Sequence, residues 1–247
     1  MATTFRYLGV SGFELRTDGG MRLLIDPYLE GNAARGLPSS PVRFDELLGS
    51  RVILVTHGAW DHLGEAIELC SQSGATLVCS PETAVHALGS GLNEQQVVKI
   101  LQGCERDVDG AAIKALHAEH ISFLYSEAQG QWLSGPPLSY LIVTDDGTRV
   151  FHSGDTALFG DLRLYGELYR PDVALLCVGA TEPELAPLPP AEAALAADWL
   201  GAPVVIPMHY PTGSDSAIQF ARELGLRRPD FRVVALRPGE CHRHDPV

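Results

Sequence analysis

Four clusters of histidine and aspartate each follow directly on an apolar stretch that is typical of a β-strand. In chain order the clusters read THGAWDH, LHAEH, HSGDT and MHY, and the first of them follows the apolar run RVILVT at 51–56. An uninterrupted apolar run predicts a strand that is buried on both faces. Loops at the ends of strands are frequent locations for functional side chains, because the sheet holds them rigidly. The chain must therefore adopt a fold that presents several strand ends to a common site.

Strands and helices alternate in both halves of the chain, which predicts an α/β fold of sheets with helices outside them. LGEAIELCSQSG has apolar residues at helical spacing before a glycine, and PPAEAALAADWLG begins with proline and ends with glycine. DGG at 18–20 and DDG at 145–147 predict turns between strands. FRVVAL is expected to form the last strand, and the polar tail CHRHDPV, with His242 and His244, is expected to be mobile. We expect residues 1–247 to form a single domain.

The bulk properties of the sequence exclude several classes of partner. The formal net charge is −13, and an acidic surface repels phosphate backbones, so a nucleic-acid polymer is not expected to bind. The five cysteines are scattered and form no CxxC, which argues against a disulfide framework and a zinc ribbon. The chain has no apolar run of about 20 residues and no apparent signal peptide. We therefore expect a cytoplasmic protein without a membrane partner.

Three potential metal ligands lie within six residues at the predicted junction between a strand and a helix. They are His57, Asp61 and His62, and imidazole and carboxylate groups bind zinc, manganese or iron. A bound metal lowers the pKa of water and so supplies a hydroxide nucleophile near neutral pH. A single histidine is more commonly structural, and His86, inside a predicted helix, is interpreted in that way. No G-x-S-x-G, G-x-G-x-x-G or P-loop motif indicates a serine hydrolase or a nucleotide site.

The segment THGAWDHLG resembles the H-x-H-x-D-H signature of the metallo-β-lactamase fold. Further segments occur in the order found in the branch of metal-dependent hydrolases similar to ascorbate-6-phosphate lactonase: YLGVSGFEL, LLIDPYLEGN, LHAEHIS, FHSGDTALFGDLRLYGELYRPDVALLCVG and VVIPMHY. The similarity extends from about Phe5 to about Glu240. It implies a four-layer αβ/βα sandwich of the metallo-β-lactamase type, with the site at the common edge of the two sheets.

The resemblance also implies ligands for two metal positions. These are His57 and His117 at the first position, Asp61, His62 and His209 at the second, and Asp155 as a bridge between them. Asp26 is expected to orient a ligand, a role on which metal sites depend. For His152 a similar role and a purely structural one are equally open. His120 is interpreted as an exposed residue, with a substitute ligand and an acid or base group as alternatives.

Three departures from the family pattern bear on the number of metals. The second histidine of the signature is Ala59 here, and a methyl group cannot bind metal. Val10 stands where relatives often have histidine, and TEPELAPLPPAEA differs from the usual glycine-containing loop. We therefore expect one tight metal site and a second that is weak or absent. Trp60, beside Ala59, either fills the vacated space, forms a pocket wall or packs against the fold.

The expected activity is hydrolysis of a small-molecule ester by a metal-bound hydroxide. A lactone or another cyclic ester is favoured, and Asp61 is expected to hold the attacking water. Zinc or manganese is the expected metal, with iron as a further option, and homo-oligomer formation is left open. The alternatives are a small-substrate phosphodiesterase, a degenerate member that binds without turnover, and an iron redox enzyme on the same fold.

Overall fold

The computed structural model of the protein describes residues 1–35, 37–180 and 187–245. The strands in these ranges are β1 (Thr3–Gly9), β2 (Gly12–Thr17), β3 (Arg22–Ile25), β4 (Val52–Leu54), β5 (Thr76–Cys79), β6 (Val97–Lys99), β7 (Glu105–Val108), β8 (Ala111–His117), β9 (Ser122–Ser126), β10 (Gln131–Gly135), β11 (Leu138–Val143), β12 (Arg149–His152), β13 (Val173–Cys177), β14 (Val204–Met208), β15 (Arg232–Val233) and β16 (Cys241–His244). The α-helices are α1 (Phe44–Leu47), α2 (Trp60–Leu63), α3 (Ala66–Ser73), α4 (Pro81–Gly89), α5 (Leu162–Tyr169), α6 (Pro190–Leu200) and α7 (Ser216–Arg227). Short 3₁₀ helices span Ala33–Arg35 and Glu94–Gln96.

Two seven-stranded mixed sheets form the framework. The strand order is β16-β1-β2-β3-β4-β5-β6 in the first sheet and β15-β14-β13-β12-β11-β8-β7 in the second. Strands β3 to β6 are parallel to one another, as are β12 to β15, and the remaining pairs in both sheets are antiparallel. Strands β9 and β10 form a separate antiparallel hairpin. The parallel strands of each sheet therefore end at the same edge.

Three hydrophobic cores order the structure into four layers. The central core combines inward-facing residues of both sheets, such as Phe13 and Tyr140. One outer core joins the first sheet to α1–α4 and contains Leu69, and the other joins the second sheet to α5–α7 and contains Phe220. The layers thus run helix, sheet, sheet, helix, which confirms the predicted αβ/βα sandwich. No helix in the described ranges has both the length and the apolar character needed to cross a bilayer.

The elements predicted from the apolar patterns form where their residues are buried. All three residues of β4 are buried, and this strand lies between the parallel strands β3 and β5. Helix α3 ends at Gly74, whose φ of 76° lies in the left-handed region that glycine adopts without steric cost. Helix α6 begins with Pro190 and ends before Gly201, as predicted.

The chain terminus and two other regions differ from the sequence predictions. The tail forms strand β16, which pairs with β1 and buries His242 and His244, so the prediction of a mobile tail is wrong. Backbone pairing at the sheet edge outweighs the polar composition that suggested mobility. FRVVAL contributes only a two-residue strand, Arg232–Val233, and the hairpin of β9 and β10 was not predicted. Of the segment TEPELAPLPPAEA, residues 181–186 lie outside the described residues.

Tyr140 links the two sheets close to the end of β4. Its buried hydroxyl donates a hydrogen bond of 2.8 Å to the carbonyl oxygen of Val55, on the opposite sheet. The backbone N–H of Leu138 also reaches across and donates to the carbonyl of Thr56 at 2.9 Å. These bonds fix the strand that leads into the first histidine cluster.

Tyr140→Phe is expected to lower the free energy of unfolding by about 1 to 2 kcal/mol, because the Val55 carbonyl loses a buried donor. Urea denaturation of the wild type and the variant measures this difference. Tyr125→Phe is the matched control, since Tyr125 is an exposed tyrosine on the hairpin. Equal unfolding midpoints for the wild type and Tyr140→Phe would contradict the assigned role.

Candidate metal centre

The first histidine cluster lies on a tight turn between β4 and α2. His57 follows the strand, and Asp61 and His62 lie in the single turn of α2. The backbone N–H of Gly58 donates to the Ser122 hydroxyl at 3.0 Å, and a side chain at position 58 would meet Leu124. The turn is therefore held against the β9–β10 hairpin, which fixes the direction of its side chains.

Asp61, His62 and His209 form one group of potential ligands, which we call the second position. One ligand atom from each residue lies within 4.8 Å of those of the other two, and all three residues are buried or nearly so. His209 follows β14, and its backbone N–H donates to the carbonyl of Val10 at 2.8 Å. The structure therefore brings together the three residues expected at this position.

The other group of potential ligands, which we call the first position, consists of His57, His120 and Asp155. One ligand atom from each of these residues lies within 4.8 Å of those of the other two. The rings of His57 and His120 meet edge to face with centroids 5.3 Å apart. The structure thus places His120, and not His117, at the first position. This corrects both the assignment of His117 as a ligand and the interpretation of His120 as merely exposed.

The segment after β8 explains why the ligand lies three residues beyond the strand. The backbone N–H of Glu119 donates to the Thr156 hydroxyl at 2.9 Å, and the Ala157 N–H donates to the Glu119 carbonyl at 2.9 Å. These bonds tie the segment to the loop that carries Asp155. The side chain of His117 is 42% exposed, and its Nε2 lies 3.2 Å from a carboxylate oxygen of Glu119.

Asp155 lies between the two positions. Its Oδ1 lies 3.3 Å from Nε2 of His62, and its Oδ2 lies 3.4 Å from Nε2 of His209 and 3.9 Å from Nε2 of His120. The three imidazoles come from three different segments of the chain, which follow β4, β8 and β14. A buried carboxylate with this surrounding is the arrangement expected of a ligand shared by two metal ions.

Asp26 orients His62 from behind. The Nδ1–H of His62 donates to Oδ2 of Asp26 at 2.7 Å, and Oδ1 of Asp26 accepts from the backbone N–H of Thr56 at 2.8 Å. When His62 is neutral, donation by Nδ1 leaves the lone pair of Nε2 facing Asp155 and free for a metal ion. A carboxylate that holds a histidine in this way fixes its tautomer and ring orientation. The sequence prediction for Asp26 is consistent with this geometry.

The buried charges shift the pKa values of the site strongly. Burial alone disfavours the charged imidazolium of His62, but the carboxylates of Asp155 and Asp26 outweigh it and raise its pKa well above the usual value. Burial lowers the pKa of His57 to about 3, which keeps this ring neutral and able to bind metal. Asp61 is buried too, yet the ring of His209, whose Nε2 lies 3.5 Å from Oδ2 of Asp61, and the charge of His62 lower the pKa of Asp61 to about 2.

The polar atoms at the centre fit a divalent transition metal. Oδ1 of Asp155 and both ring nitrogens of His209 are buried without a hydrogen-bond partner in the described part of the chain. Unpaired buried polar atoms are costly, so such a cluster indicates a missing ion or water. Nitrogen and carboxylate oxygen donors match the ligands of zinc, manganese and iron.

Three residues near the centre have left-handed backbone conformations that side chains rarely adopt. The φ angles are 50° for Val10, 44° for Asp26 and 57° for His209. Backbone strain of this kind persists where the contacts of the surrounding structure hold the strained conformation in place, commonly at functional sites. Here it directs Asp26 and His209 towards the centre.

Two further residues have structural roles. Nε2 of His152 lies 3.0 Å from the carbonyl oxygen of Ser11, and its Nδ1 accepts from the backbone N–H of Gly154 at 3.1 Å. Trp60 is 41% exposed, and its ring meets that of Tyr28 edge to face at 5.2 Å. Trp60 therefore packs against the surface of the fold and does not fill the space beside Ala59.

A cavity of about 160 Å³ adjoins the second position, since His209 forms part of its lining. Val10 also lines it, as do residues from the loops after β3 and β15. This cavity could not be predicted from local sequence patterns, because its walls come from loops far apart in the chain.

Asp26→Asn is expected to weaken metal binding by about 10- to 100-fold, because the amide no longer supplies the charge that holds His62. Competition with a chromophoric chelator measures the affinity. Asp18→Asn is a matched control, since Asp18 pairs with Arg243 on the surface. An unchanged affinity in Asp26→Asn would contradict the orienting role.

His120→Ala is expected to weaken metal binding at the first position, whereas His117→Ala leaves it unchanged. The reason is that only His120 is grouped with His57 and Asp155. Titration of metal-stripped protein with Zn²⁺ or Mn²⁺ separates the two variants. Loss of binding in His117→Ala alone would restore the assignment that the geometry corrects.

Comparisons with known proteins identify the family. Residues 21–210 match the model of the "Beta-lactamase superfamily domain". A "UPF0173 metal-dependent hydrolase" of Methanobrevibacter smithii is 37% identical over 248 residues, 98% of this chain and 97% of the relative. One from Methanopyrus kandleri is 38% identical over 239 residues, 96% of this chain and 97% of the relative. The structure of Igni18, "a novel metallo hydrolase" from Ignicoccus hospitalis, superimposes with a TM-score of 0.81 at 28% identity and full coverage of both chains. The chain therefore belongs to the beta-lactamase superfamily and, within it, to the UPF0173 metal-dependent hydrolases.

Proposed function

We propose that the protein hydrolyses a small-molecule ester, with a lactone or another cyclic ester as the favoured substrate. The observation that carries this proposal is Asp155, a buried carboxylate approached by imidazoles from three segments of the chain. The membership in a family of metal-dependent hydrolases supports the reaction class. Among esters we favour lactones, because the sequence resembles a branch of hydrolases similar to a lactonase.

The residues of the second position would hold the tighter metal, with zinc or manganese favoured and iron as a further option. All of its residues are at most 13% exposed at the side chain, whereas His120 at the first position is 28% exposed. Greater access to water and the loss of a ligand at Ala59 both weaken the first position. A bound metal would supply Lewis acidity and a lowered pKa for water at the centre.

Asp61 is proposed to hold and orient the attacking water. Its Oδ2 lies 3.5 Å from Nε2 of His209, and its low pKa keeps the carboxylate ionised at neutral pH. An ionised carboxylate accepts hydrogen bonds only, so it can direct a water lone pair towards a substrate carbonyl. Asp61→Asn is expected to lower kcat more strongly than it lowers the metal content.

The substrate is expected to be small. A cavity of about 160 Å³ is below the roughly 300–1,000 Å³ of sites for drug-sized ligands. The net charge of −13 disfavours a nucleic-acid polymer, which argues against RNA processing.

Hydrolysis of a substrate panel after metal reconstitution tests the proposal. Protein stripped with a chelator is reloaded with Zn²⁺, Mn²⁺ or Fe²⁺ and assayed on lactones, linear esters and phosphodiesters. We expect lactones or linear esters to give the highest kcat/KM, and the stripped protein to be inactive. Faster turnover of a phosphodiester would overturn the preference for carboxylic esters.

A second function is favoured by Ala59 alone. Loss of a signature histidine is expected in a member that binds metal and a ligand without turnover. Stoichiometric metal binding with no hydrolysis across the whole panel would support this function against the first.

A further inference from the structure

The cavity beside His209 has mainly apolar walls. Its lining includes the side chains of Leu8, Leu37, Pro38 and Leu236, together with tyrosines. Burial of an apolar group in such a cavity is favourable because it removes apolar surface from water. The part of the substrate next to the reacting ester is therefore expected to be hydrocarbon.

The volume limits the size of that hydrocarbon. The cavity measures about 160 Å³, and a dry apolar cavity of about 150 Å³ in another protein holds one benzene molecule. A group of about four to six carbons therefore fits, whereas a long acyl chain does not.

Arg237 is the one permanently charged side chain among the described residues of the lining. It is exposed, and its guanidinium forms no ion pair within residues 1–35, 37–180 and 187–245. The nearby Glu240 carboxylate accepts instead from the backbone N–H of Arg237, at 2.9 Å. Within the described residues, Arg237 is therefore a cation without an ion-pair partner at an apolar cavity, although the net charge of the chain is −13.

A guanidinium binds a carboxylate through two parallel hydrogen bonds, which makes such pairs stronger than those between neutral groups. His209 and Arg237 line the same small cavity, so one ligand can contact both. The other described residues of the lining carry no permanent charge, so Arg237 is the strongest partner that they leave for a negative group.

We propose that the substrate is a small ester or lactone that carries a second, free carboxylate, separated from the reacting carbonyl by about four carbons. The carboxylate pairs with Arg237, the hydrocarbon occupies the cavity and the ester reaches the centre at His209. Water adds its oxygen to the carbonyl carbon, the bond to the leaving oxygen breaks, and that oxygen leaves as an alcohol after it takes up a proton. The product is a dicarboxylate. This inference rests on the proposed ester hydrolysis.

The test compares monomethyl adipate, which keeps one free carboxylate, with dimethyl adipate, which is neutral. For metal-loaded wild type we expect kcat/KM for the monoester to exceed that for the diester by about tenfold, the usual strength of a hydrogen bond to a charged group. Arg237→Gln is expected to remove this preference, and Arg237→Lys to retain part of it. Arg222→Gln, an exposed arginine on α7, is the control that keeps it.

The outcomes separate this inference from the proposed function. Equal kcat/KM for both esters in the wild type, or a preference that survives in Arg237→Gln, overturns the role of Arg237. If neither ester is hydrolysed, isothermal titration calorimetry measures the binding of monomethyl adipate to protein that a chelator has stripped of metal. Binding by the wild type that is lost in Arg237→Gln supports the carboxylate site and counts against ester hydrolysis, whereas absence of binding overturns the inference.

Discussion

Asp155→Ala is expected to remove metal from both positions and to reduce kcat/KM by roughly three orders of magnitude, or about 4 kcal/mol of transition-state stabilisation. Asp155 is the residue that approaches histidines of both groups, with His62 at 3.3 Å, His209 at 3.4 Å and His120 at 3.9 Å. Its removal also takes away one of the carboxylates that face His62 and His209, and with it a negative charge that attracts a divalent cation.

Elemental analysis of metal per chain and assays on the ester panel measure the effect. Asp161→Ala is the matched control, because Asp161 is an exposed aspartate six residues further along the same loop. Circular dichroism verifies that Asp155→Ala still folds. Retention of a full metal complement by folded Asp155→Ala would refute the placement of the shared carboxylate.

Many strands and helices could be predicted from the sequence, because the patterns that indicate them are local. The apolar run that forms β4 and the proline and glycine that bound α6 each depend on neighbours in the chain. The edge strand β16 could not be predicted in the same way. Its residues alternate between buried and exposed, but their polar side chains hide the pairing with β1.

The resemblance to the family motifs predicted His57, Asp155 and His209, and the structure brings all three to the centre. Distance from the strand end does not distinguish a ligand, because His57 and Asp155 lie three residues after β4 and β12, as His120 does after β8. His117 and His120 both belong to LHAEH, and spacing alone does not choose between them. The choice depends on the hydrogen bond from the Glu119 backbone to Thr156, a contact between residues 37 apart. The role of Arg237 likewise depends on a cavity formed by distant loops.

The number of metal ions per chain is expected to depend on Ala59. The structure shows which groups surround this residue. Ala59 caps α2 in extended conformation, with φ −60° and ψ 146°, and its carbonyl accepts from the backbone N–H groups of His62 and Leu63. These are backbone contacts, so they persist when the side chain changes. Trp60 packs against Tyr28 and is 41% exposed, so we expect it to leave room for a larger side chain at position 59.

Ala59→His is therefore expected to raise the metal content from about one to about two ions per chain. An added imidazole would join His57, His120 and Asp155 at the first position. Structural zinc sites bind with roughly 10–16 kcal/mol over four ligands, so one ligand contributes about 3 kcal/mol, or about a hundredfold in affinity. Titration of stripped protein, followed by elemental analysis, measures both quantities. Ala59→Leu adds similar bulk without a ligand and should stay at one ion. If both variants hold one ion per chain, the first position is not limited by the missing histidine.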